Sequence, residues 1–226
     1  SISPLDGRYS SYVEELLPFF SEKALMRYRV MIEIEYLISL SKEKNFEGLS
    51  RFTKKQEATF RKIYLNFNSV SADKIKKIER QTKHDVKAVE YYIRGKVNKS
   101  IHPWIHFALT SEDVNNLSYT LMWRDALSKI YIPQLKSLQV ELNLLSRKYS
   151  NSAMLSMTHG QSATPTTFGK EVKVFAKRIE RQMVGINNHK LLGKFGGATG
   201  TWSTHTVVYP NVNWLLFAKN YIKSLK

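Results

Sequence analysis

Apolar residues recur at three- and four-residue steps along most of this chain, and that period is typical of helices packed on one face. A first helix is predicted from Ser21 to about Leu40, because Ser21 is a good N-cap and Glu22 follows in the first turn. Further helices are predicted over 54–70 and after His84-Asp85. Their buried stripes are predicted to contain Leu25, Tyr28, Ile32 and Tyr36 in the first helix and Val86, Val89, Ile93 and Val97 in the third.

Longer helices are predicted in the second half of the chain. After a loop over 95–103, one helix is predicted from Thr110 to about Ser150, with Pro133 kinking or dividing it. The segment Thr110-Ser-Glu-Asp113 resembles a capping box at the start of that helix.

A loop over 151–163 is predicted next, followed by another long helix that starts at Thr164-Pro165. Before the first helix, residues 1–12 are predicted to form an extended arm with a turn at Asp6-Gly7. The last long helix is predicted to pack in a bundle through a seam of Phe168, Val172, Phe175, Ile179, Met183 and Ile186.

These patterns predict an all-α fold in two parts. Residues 1–103 are predicted to form an N-terminal helical domain, and residues 104–226 the first long helices of a central helical bundle. The amphipathic stretch over 213–225 begins a further helix, and a bundle of so few long helices is incomplete. The sequence therefore suggests a truncated chain.

Composition excludes several classes of protein. With 226 residues and 42% hydrophobic side chains the chain can bury a core, and without cysteine it has no disulfide scaffold, thiol nucleophile or thiolate zinc site. No apolar run approaches the roughly 18–20 residues that span a bilayer, and no signal-peptide pattern begins the chain. A cytoplasmic protein is the expectation.

The net charge of +16 permits a nucleic-acid partner, an anionic membrane or a small polyanionic substrate, and equally a lysine-rich surface without a partner. The basic residues are scattered through helical segments, and no basic tail, RNA-binding aromatic motif or Cys/His finger accompanies them. Charge alone does not decide the function.

Three polar segments are candidates for chemistry. Asp6-Gly-Arg-Tyr9 places a guanidinium beside a phenol at a turn, although this segment alone favours a surface arginine in a capping turn. Thr82-Lys-His-Asp85 precedes a helix whose N-terminus would attract anions, or Thr82 or Asp85 simply caps it while His84 is exposed.

The third segment is Thr158-His-Gly-Gln-Ser-Ala163, where His159 lies in a loop ahead of a helix and could transfer a proton near neutral pH, or is a core or capping histidine. Four other histidines have few polar neighbours in the sequence, and a structural role is favoured over a catalytic one for them: His102, His106, His189 and His205.

Other catalytic patterns do not occur. The sequence has no HExxH, no EF-hand loop and no G-x-S-x-G elbow. The glycine-rich segment 193–200 lacks the GK[ST] ending and follows a helix rather than a strand, so a phosphate loop is rejected there.

Taken together, four blocks resemble the fumarase/aspartase superfamily and, within it, the adenylosuccinate lyase family. The resemblance extends along nearly the whole chain; Lys83 stands where many members have Asn, and the serine loop with its Gly-Ser-Ser…Met-Pro-x-Lys pattern does not occur. The four blocks are Ser3-Pro-Leu-Asp-Gly-Arg-Tyr9, residues 78–91 around Lys83-His-Asp85, residues 105–116 around Thr110-Ser111, and Thr158-His-Gly-Gln-Ser-Ala-Thr-Pro165.

The resemblance implies β-elimination of fumarate from adenylosuccinate and from succinylated aminoimidazole-carboxamide ribotide, in which a base removes a carbon-bound proton and an acid protonates the leaving nitrogen. It implies that His159 is the general acid and that the base is a serine of the loop that does not occur here, so this stretch alone is predicted to be inactive. No metal or organic cofactor is implied. The substrate-binding residues that it implies are Arg8, Tyr9, Lys83, His84, Asp85, Thr110, Ser111, Thr158 and Gln161.

The resemblance also implies a homotetramer whose active sites combine segments of three chains. Two alternatives stay open: another lyase of the superfamily, acting on argininosuccinate or a fumarate-type substrate, and a basic helical protein that binds nucleic acid.

Overall fold

The computed structural model describes residues 2–225, and it is mostly helical with one small two-stranded sheet, which confirms the all-α class. Contacts divide the chain into a first unit, residues 1–124 and 192–226, and a second unit, residues 125–191. The predicted domain boundary after residue 103 falls inside the first unit and stays a prediction.

Connections between the elements range from one or two residues to the longer segments 41–53 and 189–202. Short 3₁₀ helices lie at Ser10–Tyr12, Glu14–Leu16 and Lys99–Trp104. In chain order the main elements are α1 (Leu17–Phe20), α2 (Glu22–Leu40), α3 (Lys54–Leu65), α4 (Ser69–Thr82), α5 (Asp85–Arg94), α6 (Ser111–Ala126), α7 (Ile132–Lys148), β1 (Ala153–Thr158), β2 (Gln161–Thr167), α8 (Phe168–Asn188), α9 (Ser203–Val208) and α10 (Trp214–Ser224).

Helix α2 is the central helix of the first unit. It begins as predicted, because the Ser21 hydroxyl accepts a hydrogen bond from the Ala24 N–H at 3.1 Å. Both of its sides are buried: Tyr28 belongs to one hydrophobic cluster with α6 and α10, and Ile34 to another with α3, α4 and α5. The prediction of one apolar stripe on this helix therefore includes too few of its buried residues. A helix surrounded by other helices is apolar on more than one side.

The predicted helix over 54–70 is interrupted near its end. Helix α3 ends at Leu65, and α4, which the apolar pattern did not predict, begins at Ser69. The Asn68 side chain accepts a hydrogen bond from the Ser71 N–H at 3.1 Å, so a new N-cap restarts the helix after a short break. The next helix, α5, begins after His84 as predicted, and three of its four predicted core positions are buried: Val86, Val89 and Ile93.

The N-terminal arm is not extended. The Asp6 carboxylate accepts hydrogen bonds from the Ile2 N–H at 3.0 Å and the Ser3 N–H at 2.7 Å, which folds the segment into turns. These bonds also lower the pKa of Asp6. The predicted turn at Asp6-Gly7 is confirmed, while Ser1 lies outside the described residues.

The long helix is divided near Pro133, as predicted. A π-helical turn over Leu127–Tyr131 separates α6 from α7, and Pro133 is the second residue of α7. Proline lacks an N–H and its ring clashes with the carbonyl four residues earlier, so a wider turn just before it accommodates the ring.

The predicted loop over 151–163 and the predicted helix start at Thr164-Pro165 are both wrong. Strands β1 and β2 form an antiparallel hairpin in which Pro165 lies opposite Leu155. Helix α8 begins instead at Phe168, because the Thr167 hydroxyl accepts a hydrogen bond from the Lys170 N–H at 3.2 Å. Both faces of the hairpin are largely exposed, so it has no apolar alternation for a sequence pattern to detect.

Helix α8 packs on α7 along a face shifted from the predicted seam. Its buried residues include Val172 and Met183, as predicted, but the Phe175 side chain is 55% exposed. Gly169 lies at the closest approach, since a Cβ atom there would come within 2.3 Å of the Ser146 carbonyl oxygen. Among residues 2–225, no helix is both long and apolar enough to cross a bilayer.

The His205 ring is fully buried in the core of the first unit, among the rings of Phe107, Phe195 and Trp214. Its Nε2 lies 3.3 Å from the Tyr36 hydroxyl, and its Nδ1 has no hydrogen-bond partner among the described residues. Burial lowers the pKa of His205 to about 4, and the charge of Asp113 only partly opposes this. The structural interpretation of this histidine fits that environment.

We expect acid to destabilise the first unit through His205. The unfolded imidazole takes up a proton below about pH 6.5 whereas the folded one does so only near pH 4, so the stabilisation is complete above pH 6.5 and is lost between those values. At about 1.4 kcal/mol for each pKa unit, the loss is roughly 3 kcal/mol.

Denaturant unfolding at a series of pH values, compared with a His205→Phe variant, measures this loss. Phenylalanine keeps the ring but cannot be protonated, so the free energy of unfolding should fall less steeply with acid in the variant. Carboxylates and His106 titrate in both proteins and cancel in the difference. If the two proteins lose stability equally with acid, folding does not lower the pKa of His205.

Candidate active site

Helix α6 begins at the predicted site residues Thr110 and Ser111, both half-buried. The Thr110 N–H donates to Asp113 Oδ2 at 3.0 Å, which is the carboxylate half of the predicted capping box. The two hydroxyls therefore lie at the positive end of a 16-residue helix, where backbone N–H groups and the helix dipole favour an anion.

The carboxylate of Asp113 is fully buried and also binds the glycine-rich segment 193–200. It accepts hydrogen bonds from the Lys194 ammonium at 2.7 Å and from the N–H groups of Gly196 and Gly197, both at 3.0 Å. Those amides are thus bound to an internal carboxylate, which fits the rejection of a phosphate loop in this segment.

Glycine is required in this segment for two reasons. A Cβ atom on Gly193 would lie 2.5 Å from a methyl group of Leu117, so only glycine lets the segment approach α6 so closely. Gly197 has a φ of +76°, a left-handed conformation that other residues rarely adopt.

The Thr82–Asp85 segment forms the junction between α4 and α5. Lys83 ends α4 in a left-handed conformation, with φ of 53°, and His84 is the N-cap of α5. The His84 Nδ1 atom accepts a hydrogen bond from the Lys87 N–H at 3.2 Å, so the proton of the neutral ring is on Nε2. His84 is exposed, as the capping alternative expects, but His84 itself and not Thr82 or Asp85 is the N-cap, and its Nε2–H remains available as a hydrogen-bond donor.

Both carboxylate oxygens of Asp85 are bound. Oδ2 lies 2.7 Å from the Arg29 guanidinium, and Oδ1 accepts a hydrogen bond from the Val86 N–H at 2.8 Å. Burial would raise the pKa of Asp85, but Arg29 and the Val86 N–H outweigh it, and the pKa lies below its ordinary value. Asp85 is therefore a fixed anion at the start of α5.

Arg29 was not predicted as a site residue. It lies on α2, is 6% exposed, and donates from Nε to Asn115 Oδ1 at 2.9 Å as well as pairing with Asp85. It thus connects two predicted site segments, the start of α5 and the start of α6. The sequence did contain one indication of its role, because Arg29 is a charged residue among the apolar positions of the first predicted helix.

A structural role was predicted for His106 because it has few polar neighbours in the sequence, but in the structure it has a charged partner. Its Nδ1 atom lies 2.5 Å from a carboxylate oxygen of Glu33, which is buried on α2. Burial opposes the charged ring, but Glu33 outweighs it and raises the pKa of His106. In contrast, His102 has the expected local role, with Nε2 2.9 Å from the Arg94 carbonyl oxygen.

The N-terminal site residues Arg8 and Tyr9 are both exposed. The Arg8 guanidinium carbon lies 5.3 Å from the centre of the Tyr9 ring, and the Tyr9 N–H donates to the Pro4 carbonyl oxygen at 2.8 Å. The turn holds the backbone, while the guanidinium is open to solvent.

In the second unit, His159 is at the tip of the β1–β2 hairpin. His159 and Gly160 are the two turn residues, with φ of 51° and 72°, and Thr158 pairs with Gln161 across the hairpin. The ring of His159 is exposed and has no hydrogen-bond partner among residues 2–225. A two-residue turn with both φ values positive aims its side chain away from the strands, so His159 is available to a ligand.

The predicted site residues therefore form two described groups. Arg8, Tyr9, Lys83–Asp85 and Thr110–Ser111 belong to the first unit, and Thr158, His159 and Gln161 to the second. That the two groups act on one substrate stays a prediction.

The second unit also has a basic groove of about 750 Å³ between α7 and α8. Two of its lysines are paired with carboxylates, Lys170 with Glu171 at 2.9 Å and Lys177 with Glu180 at 2.7 Å. The cationic residues of this groove are Arg147, Lys170, Lys173, Lys177, Arg178 and Arg181.

Comparisons with known proteins give one consistent result. A family model described as lyase matches residues 7–219. The chain is 43% identical to an adenylosuccinate lyase of Dictyostelium discoideum, 41% to one of Legionella pneumophila and 39% to one of Escherichia coli, in each case over all of this chain and 50% of the relative. The chain thus spans about half the length of the curated relatives it matches.

Solved structures agree on the fold. A fumarate lyase from Mesorhizobium is similar with a TM-score of 0.74 at 17% identity, covering 94% of this chain and 47% of the other. A β-carboxy-cis,cis-muconate cycloisomerase from Acinetobacter calcoaceticus has a TM-score of 0.73 at 19% identity, covering 94% and 48%. At these identities the likeness concerns the fold alone.

Proposed function

Because this chain belongs to the lyase family, as its resemblance to the fumarase/aspartase superfamily predicted, we propose that the protein eliminates fumarate from adenylosuccinate to give AMP. We extend the proposal to succinylated aminoimidazole-carboxamide ribotide, the second substrate that the resemblance implies. The observation that carries the proposal is the 38–43% identity to adenylosuccinate lyases over essentially the whole chain.

The geometry supports a division of roles between the two groups of residues. His159 is exposed at the hairpin tip, which suits a general acid that must reach a bound substrate. Its proposed task is to protonate the leaving nitrogen while a base removes the proton next to a carboxylate. Thr158 and Gln161 flank it and would orient the neighbouring groups.

The first unit would bind the anionic substrate. Thr110 and Ser111 offer hydroxyls at the start of α6, where a carboxylate or phosphate is stabilised. Lys83 and the Nε2–H of His84 add positive charge and a donor at the start of α5. Arg8 has a free, planar guanidinium fork that suits the phosphate of a nucleotide, with Tyr9 beside it.

The assembly and location are further proposals. A homotetramer would bring segments of several chains to each site, and the exposed apolar side chains of α7 and α8, such as Leu144 and Phe175, suit helix packing between copies. A cytoplasmic location would place the enzyme with its nucleotide substrates.

The test is turnover by the natural full-length polypeptide that contains these 226 residues. We expect fumarate and AMP in equal amounts from adenylosuccinate, with kcat/KM at least a hundredfold above that for argininosuccinate, because the site would include groups for a nucleotide phosphate. Equal or faster cleavage of argininosuccinate would favour another lyase of the superfamily.

The basic groove of the second unit favours one other function, nucleic-acid binding. The four cationic side chains of the groove other than Lys170 and Lys177 could neutralise several phosphates, and the affinity would then fall steeply with salt. Filter binding of single-stranded RNA at 50 and 200 mM salt, about the range over which such binding weakens, tests this function. Salt-sensitive micromolar binding without lyase activity would favour it over the lyase.

A further inference from the structure

Helix α2 also carries buried polar groups among its apolar residues. Arg29, Glu33 and Tyr36 follow one another at steps of four and three residues, so they lie on the same side of the helix. All three are at most 6% exposed. Each of them contacts a segment that leads to, or belongs to, the proposed substrate-binding residues.

Arg29 contacts two helices near their starts. Its Nη2 atom pairs with Asp85 at 2.7 Å and its Nε donates to Asn115 at 2.9 Å. A guanidinium is planar and its donors have fixed directions, so satisfying both acceptors determines where the two helix starts lie relative to each other.

The contact with Asn115 holds the face of α6 on which Ser111 also lies. The two residues are four positions apart on α6, so they lie one above the other on the same helix face. The contact with Asp85 reaches His84 and Lys83, which are its immediate neighbours at the cap of α5. One side chain thus connects both anion-binding helix starts.

Glu33 and Tyr36 hold the backbone that leads into Thr110. Glu33 lies 2.5 Å from the His106 ring, and the Tyr36 hydroxyl donates to the Phe107 carbonyl oxygen at 2.9 Å. His106 and Ala108 have φ values of 59° and 54°, a left-handed conformation that costs energy for residues other than glycine and that persists only where surrounding contacts impose it.

We propose that Arg29 is a positioning residue of the active site: it does not touch the substrate, and its guanidinium sets the distance between the His84–Asp85 cap and the Thr110–Ser111 helix start. This inference rests on the proposed lyase function. Stability alone gives little reason for such a residue, because a buried ion pair contributes little more to folding than apolar residues of similar volume.

The test uses Arg29→Lys in the full-length polypeptide. Lysine keeps the charge and most of the stem, but one ammonium on a flexible chain does not have the fork that binds Asp85 and Asn115 together. We expect kcat/KM for adenylosuccinate to fall roughly 10- to 100-fold, and AMP to bind more weakly, with little change in melting temperature.

A matched control is Arg27→Lys, on the same helix two residues earlier. Arg27 lies over the Tyr28 ring at 4.3 Å and donates to the Pro18 carbonyl oxygen at 3.4 Å, and it contacts neither helix start in the described structure. Its kcat/KM should stay within about twofold of the wild-type value.

Changes at the partner residue separate positioning from packing. Asn115→Leu should lower kcat/KM about as much as Arg29→Lys, Asn115→Asp should retain more activity because it keeps an acceptor oxygen, and the double variant Arg29→Lys/Asn115→Leu should be less than additive. Wild-type kcat/KM per folded Arg29→Lys protein, with or without a lower melting temperature, would overturn the inference. A wild-type protein that does not cleave adenylosuccinate would instead remove the proposed function, and this inference with it.

Discussion

Replacing His159 with alanine is expected to lower the turnover of adenylosuccinate by about 10²- to 10⁴-fold, the range typical of a lost general acid. The leaving nitrogen would then have to depart without a proton from the enzyme, while the binding residues of the first unit are unchanged. The measurement is the rate of fumarate formation by the full-length polypeptide at saturating substrate, which reports kcat rather than binding.

The position of His159 makes this variant informative. The side chain is exposed at a hairpin tip and no described residue hydrogen-bonds to it, so its removal should leave folding and assembly intact. His189→Ala is the matched control, because His189 is also exposed and caps the end of α8 in the same unit. Near-wild-type turnover of His159→Ala would remove this residue from the acid role.

Replacing Asp113 with alanine is expected to lower the free energy of unfolding by about 3–5 kcal/mol, the cost of removing one partner from a buried charged network. The buried N–H of Gly196 would lose its acceptor, the Lys194 ammonium its counter-ion, and α6 the carboxylate of its cap. Denaturant unfolding followed by the fluorescence of the tryptophans, of which Trp214 is buried in the same unit, measures the loss.

Two further variants show which property of Asp113 matters. Asp113→Asn keeps the volume and an acceptor oxygen, so it should destabilise by roughly half as much, through the lost charge. Glu112→Ala removes the neighbouring exposed carboxylate and should change the stability by no more than about 0.5 kcal/mol. A loss below 1 kcal/mol in Asp113→Ala would mean that other contacts hold the glycine-rich segment.

The predicted helix starts show where sequence analysis succeeds. Ser21, the Thr110–Asp113 box and Asn213 act within three residues of the positions they cap, so the cause and its effect lie in one short stretch of sequence. The break at Pro133 is equally local, since proline carries its constraint into any structure.

The hairpin shows where the same analysis fails. A loop was predicted over 151–163, followed by a helix start at Thr164-Pro165. In the structure the pairing of β1 with β2 satisfies the backbone, and Pro165 is tolerated because a two-stranded sheet has only edge strands. The turn that aims His159 depends on that pairing.

The sequence by itself determined the helical class, most helix starts, the lyase family and the individual residues Arg8, His84, Ser111 and His159 as candidates, because caps, periodicity and short motifs are local properties. Only the tertiary structure decided how the candidates of the first unit are held. Arg29 meets Asn115 across 86 positions and Asp113 meets Lys194 across 81. Such partners are selected by the packing of helices around α2, and no short stretch of sequence contains both members of either pair.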